Sequence, residues 1–202
     1  MVEFLSKGGM LVIPILLCSV FALAIFLERM ISFARMRTRG REIDQKVASL
    51  LMEKKDDEAK RAAQNSDSPM GRVLTQALEV KNRERETLET VIINAIDREV
   101  QNLSSYIQTL ATIGNIAPLL GLLGTVVGMI KAFMVIQQMG GKVNAAVLAG
   151  GIWEAMLTTA IGLAVALPTM VAHSYLLARV DKYEARLQNG AVTFIKAISK
   201  GD

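Results

Sequence analysis

The sequence predicts an all-α membrane protein that crosses a bilayer three times, and three observations predict it. Apolar residues make up 51% of the chain, yet they are gathered into blocks rather than spread through amphipathic elements. Basic residues crowd the flanks of those blocks unequally. Between the blocks the apolar positions recur at three- and four-residue spacing, with no β-type alternation.

The first block, MLVIPILLCSVFALAIFL at residues 10–27, holds no charge. A bilayer core of roughly 30 Å needs about 20 apolar residues in a helix, so it is long enough to span. Lys7 precedes it and Glu28-Arg29 follows with no small-residue cleavage pattern, so it reads as a retained anchor rather than a signal peptide. Cys18, the single cysteine, lies inside it and reads as a packing residue. Six basic residues then follow (Arg29, Arg35, Arg37, Arg39, Arg41, Lys46).

Residues 41–63 are charged and Ala/Leu-rich and predict one or two short helices. In the turn cluster Asn65-Ser66-Asp67-Ser68-Pro69, Ser68 is placed as an N-cap with Pro69 at the first helical position. No Gly or Pro occurs from Arg72 to Ile113. Leu88, Val91, Ile92, Ala95, Ile96, Leu103, Tyr106, Ile107 and Leu110 recur at three- and four-residue spacing and make one face apolar, so a helix is expected to run straight into the second block. That block, LATIGNIAPLLGLLGTVVGMI at 110–130, is again uncharged. From Ala155 to Ala178 only His173 and Tyr175 are ionisable, and Leu176, Val180, Tyr183 and Leu187 carry the stripe on to Gly190. Five basic residues follow this third block, against two, Lys131 and Lys142, in the 131–144 connection. The positive-inside rule therefore puts the N-terminus outside, 28–109 inside, the 131–144 turn outside and the C-terminus inside.

The expected organisation is a tail with the first span at 1–28, a cytoplasmic helical loop domain at 29–109, the second span at 110–135, an outer turn at 136–144, the third span at 145–178 and a cytoplasmic C-terminal helix at 179–202. The net charge of +4 reports this topology and not a nucleic-acid partner. With one His, one Cys and no phosphate-binding, zinc-protease or paired-cysteine motif, neither an enzyme nor a metal or cofactor site is expected.

The informative residues are the small and hydroxylic ones in the last two spans. At 100° per residue Gly121, Thr125, Gly128 and Ala132 share a side of the second span, and Gly124 and Gly128 form a GxxxG. Ala155, Thr159, Ala166 and Met170 cluster on the third span with Gly162 beside them. Small residues let helix backbones approach closely in lipid, so these faces are expected to pack. Lys131 and Glu154 would each cost ~2.5–3.5 kcal/mol at the bilayer centre, which places both at the outer rim near Trp153, where they can pair. Thr125 and Thr159 then lie at about the same depth, ~9 and ~7.5 Å inward of the rim. Two hydroxyls at one level between small-residue faces look like one site. His173 is the one titratable group further in, so a carboxylate for ion transfer has to come from another chain.

The run IAPLLGLLGTVVGMI at 116–130 with Ala132-Phe133, and EAMLTTAIGL at 154–163 followed by Ala166-Leu-Pro168, resemble the MotA/TolQ/ExbB proton-channel family. Gly8 to Pro14 through Glu28-Arg29, and three spans rather than four, resemble its ExbB/TolQ branch. The resemblance implies a homopentameric ring in the bacterial inner membrane, with the outer turn and N-terminus periplasmic and the C-terminus cytoplasmic. It implies a dimer of a single-span ExbD/TolR-like partner inside the ring, whose membrane Asp carries H⁺, and a TonB/TolA-like effector. It further implies that Thr125 and Thr159 face that Asp, that the family's acidic position falls on Glu154, and that Pro118, Gly121, Gly124, Gly128 and Gly162 serve helix packing. The function implied is the proton-channel stator subunit of a motor driven by the proton-motive force. The same family harnessed to motility such as gliding, or a non-conducting membrane scaffold, remain open readings.

Overall fold

The computed structural model describes residues 11–39, 42–138 and 145–201. The N-terminal tail and most of the expected outer turn, residues 139–144, lie outside the described residues. Among the described residues seven helices follow in order: α1 Val12–Arg39, α2 Ile43–Met52, α3 Asp56–Gln64, α4 Pro69–Glu79, α5 Arg85–Ser104, α6 Ile107–Gln138 and α7 Ala145–Gly201. Among the described residues there is no strand. Three helices are long and apolar enough to cross a membrane, over Val12–Met36, Ile107–Gln138 and Leu148–Ser199. The chain is thus an all-α, three-span membrane protein. It divides into two units, Met1–Leu27 with Tyr106–Tyr175, and Glu28–Ser105 with Leu176–Asp202.

The second unit has an ordinary soluble core, because its helices are amphipathic. Val47 and Leu51 of α2, Ala59 and Ala63 of α3, Val73, Leu74 and Ala77 of α4, Leu88, Ile92 and Ala95 of α5, and Leu187, Phe194 and Ala197 of α7 bury together. Ser68 does cap α4, its Oγ accepting from Gly71 N–H at 3.0 Å, with Pro69 at the first position. Gly71 is required there, since a methyl would lie 2.6 Å from the Ala63 carbonyl oxygen. Glu99, buried on α5, accepts two hydrogen bonds from Arg72 of α4, at 2.8 Å from Nε and 2.5 Å from an Nη. Those bonds and the carboxylate charge hold the Arg72 guanidinium more firmly protonated than usual.

Two expectations for this stretch are corrected. The uninterrupted helix from Arg72 into the second span is instead three helices. The polar run Lys81-Asn82-Arg83-Glu84 forms a turn between α4 and α5, with Lys81 ion-paired to Asp56. A second break falls at Ser105-Tyr106, where Ser105 is extended and Tyr106 is left-handed at φ 62°. Arg29 of α1, 7% exposed, stabilises the end of α5 there: it donates to Ser105 Oγ at 2.7 Å and to the Asn102 carbonyl at 3.3 Å. A cation beside the last carbonyls of a helix also complements the helix dipole. Secondly, Gly190 does not end the stripe on α7. The helix continues to Gly201, and buried Gly190 leaves room for the Met70 side chain.

Candidate ion pathway

In the first unit α6 and α7 pack antiparallel along a seam of small residues. Gly114, Ala117, Gly121, Gly124, Gly128 and Ala132 are buried on α6, and Ala155, Thr158, Gly162, Ala166 and Thr169 on α7. The backbones are close enough that a methyl on Gly162 would lie 2.7 Å from the Ala117 carbonyl oxygen, and one on Gly121 3.0 Å from Thr159 Cα. Further along, Gly124 faces the Thr158 side chain, Gly128 faces Ala155 and Ala132 faces Gly151. Pro118 lies inside α6, half-buried, and leaves the Gly114 carbonyl without its intrahelical donor. In lipid, where no hydrophobic drive pushes helices together, such contact is what van der Waals packing requires.

The threonines occupy this seam unequally. Thr159, partly buried, donates its hydroxyl across the seam to the Gly121 carbonyl at 2.8 Å. Thr125 stands at the seam's edge, less buried than Gly121, Gly124 and Gly128, and donates to its own Leu122 carbonyl at 2.6 Å. Since Thr159 lies opposite Gly121 and Ala155 opposite Gly128, the two threonines are less than about one turn apart in depth. Both hydroxyl protons are committed to backbone carbonyls, so what each hydroxyl offers a visiting group is its lone pairs.

Thr158, 2% exposed, turns the other way: its hydroxyl returns to the Glu154 carbonyl at 2.9 Å and its methyl group fills the space over Gly124. Sequence reasoning missed this packing role, although a Thr beside a GxxxG on the facing span was a usable signal. Glu154, partly buried, is one residue outward of Ala155, and exposed Lys131 stands near the same end of α6. Among the described residues no ion pair joins the two. Trp153 is 56% exposed at this end. His173 is partly buried on α7, three residues beyond Met170, which faces Gly114.

A helical protein of three spans, two of them joined by a glycine seam carrying hydroxyls inside an otherwise apolar layer, has the makings of an ion-conducting membrane subunit. The chain belongs to the MotA/TolQ/ExbB proton channel family, whose model matches residues 65–189, and to its ExbB/TolQ branch. It is 30% identical over 166 residues to the putative biopolymer transport protein ExbB-like 3 of Synechocystis, covering 81% of this chain and 79% of that one. It is 35% identical over 124 residues to a putative biopolymer transport protein ExbB homolog of Methanothermobacter thermautotrophicus, covering 61% of this chain and 43% of that one. To the Tol-Pal system protein TolQ of Haemophilus influenzae it is 40% identical over 91 residues, covering 45% and 39%. The chain thus spans less than half the length of the latter two relatives.

Proposed function

We propose that this chain is the proton-channel subunit of an ExbB/TolQ-type complex in the bacterial inner membrane, energising transport or envelope processes. Five copies surround two copies of an ExbD/TolR-like single-span partner whose membrane Asp carries H⁺, and a TonB/TolA-like effector receives the work. The N-terminus is periplasmic and the C-terminus cytoplasmic, a reading that the uneven basic flanks support.

The observation that carries this reading is the pair of hydroxyls on the α6/α7 seam. With their protons donated to the Leu122 and Gly121 carbonyls, Thr125 and Thr159 accept a hydrogen bond from a neutral carboxylic acid. An ionised carboxylate needs donors, so it is served only when a hydroxyl turns away from its carbonyl. For Thr159 that turn breaks a polar contact joining α6 to α7, which links proton release to the packing of the pair. One charge moving through the membrane potential releases ~2.3 kcal/mol per 100 mV, so each working cycle uses several protons.

Reconstitution of the complex in vesicles tests this. Proton flux driven by an imposed potential should fall at least about tenfold (about 1.4 kcal/mol in barrier) in Thr125→Val or Thr159→Val. Undiminished flux in both variants would remove the two threonines from the pathway.

A further inference from the structure

One polar group of the spans has no role in the seam or in the threonine site. Gln108, Thr112 and Asn115 fall on one side of α6, at 108, 112 and 115, and all three are exposed. The buried residues Gly114, Ala117 and Gly121 lie on the opposite side, against α7. The Thr112 hydroxyl donates to the Gln108 carbonyl at 3.0 Å, whereas no hydrogen bond to the Asn115 amide occurs among the described residues.

Aromatic residues indicate how deep this stripe runs. Tyr106 and Tyr175, both exposed, stand within about a turn of each other, because Gly114 faces Met170 and the helices are antiparallel. At the other end Trp153 lies just outward of Ala155, which faces Gly128. Amphipathic rings collect at the two membrane interfaces. From Tyr106 to the level of Gly128 is about 33 Å of helix, close to the thickness of a hydrocarbon core. Asn115 is therefore about 13 Å inside the level of Tyr106, and Thr112 about 9 Å. An unpartnered amide at that depth is costly against lipid and needs water or another polar group.

We propose that Gln108, Thr112 and Asn115 line a water-filled vestibule that enters the membrane from the end at which α6 begins. Water fits better than a docked helix. Where α6 does pack on a helix it uses Gly and Ala, and that face runs along most of its length. The polar stripe is made of larger side chains, opens at the interface and stops after Asn115, where Leu119 and Leu122 (62% and 56% exposed) take over the same side. The vestibule is thus a blind, hydrated funnel closed by leucines. It rests on α6 spanning the membrane and not on the proton-conduction reading, so either can fail without the other.

Single-cysteine variants in a Cys18→Ser background test it in the assembled complex, in vesicles of both orientations. A charged, membrane-impermeant methanethiosulfonate is applied and modification is followed by mass spectrometry. Thr112→Cys and Asn115→Cys should be modified at least tenfold faster than Ile116→Cys, an exposed neighbour turned about 100° away, and from one membrane face only. Leu119→Cys should be as slow as Ile116→Cys. If Gln108→Cys reacts while Thr112→Cys and Asn115→Cys are no faster than Ile116→Cys, the water stops at the surface and the proposal is overturned. Equal reaction at all positions, Ile116 included, overturns it as well.

Discussion

At the scale of single residues, adjacent threonines with identical side chains are separated by about 100° of helix rotation. Thr159 bridges to Gly121 while Thr158 is sealed against Gly124. Thr159→Ser keeps the hydroxyl and should retain most of the proton flux, whereas Thr159→Val loses both the flux and the interhelical bond; flux kept in the Val variant and lost in the Ser variant would show that the methyl group, not the hydroxyl, matters. A motif match at 154–163 was enough to single out Thr159. Helical spacing and depth pointed to the same residue, because Thr159 shares a face with Ala155 and Ala166 while Thr158 is turned about 100° from it. Arg72 and Glu99 had no local signal at all: they are 27 positions apart, and pairing at that distance is decided by how α4 meets α5. Glu99 is nearly enclosed and Arg72 is half-exposed, so removing the cation leaves a buried carboxylate unpaired. Arg72→Met should cost about 3 kcal/mol of stability, read as a lowered denaturation midpoint of the detergent-solubilised chain, while Arg85→Met, on an exposed i,i+4 pair, should cost less than about 1 kcal/mol.

At the scale of elements, the helices announced by caps and periodicity were legible: Ser68-Pro69 opens α4 and the small-residue spacing marks α6 and α7 as packing partners. The breaks were not. Neither Lys81–Glu84 nor Ser105-Tyr106 contains Gly or Pro, and the second break is supported by Arg29, more than seventy positions away. The seam itself gives a measurable contrast between two glycines of α7. In a helix, Gly→Ala gains about 1 kcal/mol in propensity, and overpacking costs about 1–3 kcal/mol. A methyl on Gly150 meets nothing within 4 Å, so Gly150→Ala should be neutral or stabilising. On Gly162 the same methyl presses on the Ala117 carbonyl, a backbone atom that cannot swing aside, so the packing term wins. Gly162→Ala should therefore lower the thermal midpoint in detergent, with Gly150→Ala unchanged or raised; equal shifts in both would mean that the helices do not meet at this seam.

At the scale of the whole molecule, the distribution of titratable groups decides what the chain can do alone. Between Lys131 and Glu154 at one end of the spans and Tyr106 and Tyr175 at the other, α6 and α7 carry His173 as their one ionisable side chain, and the first apolar block adds only Cys18. Hydroxyls relay a proton but do not store one at neutral pH. His173 lies close to the Tyr175 end, some fourteen residues or about 21 Å of helix from Thr159, too far for a direct hand-over. On the function proposed above, conduction borrows its carboxylate from a partner, an expectation that rests on the absence of acids within the apolar blocks of the sequence. The chain reconstituted by itself should pass protons no faster than empty vesicles, and flux should appear only when a single-span partner bearing a membrane acid is added. His173→Gln should leave that flux within about twofold (about 0.4 kcal/mol) of the parent. Partner-independent flux that His173→Gln abolishes would instead make the histidine the carrier and move the working site from the threonine level to the other end of the spans.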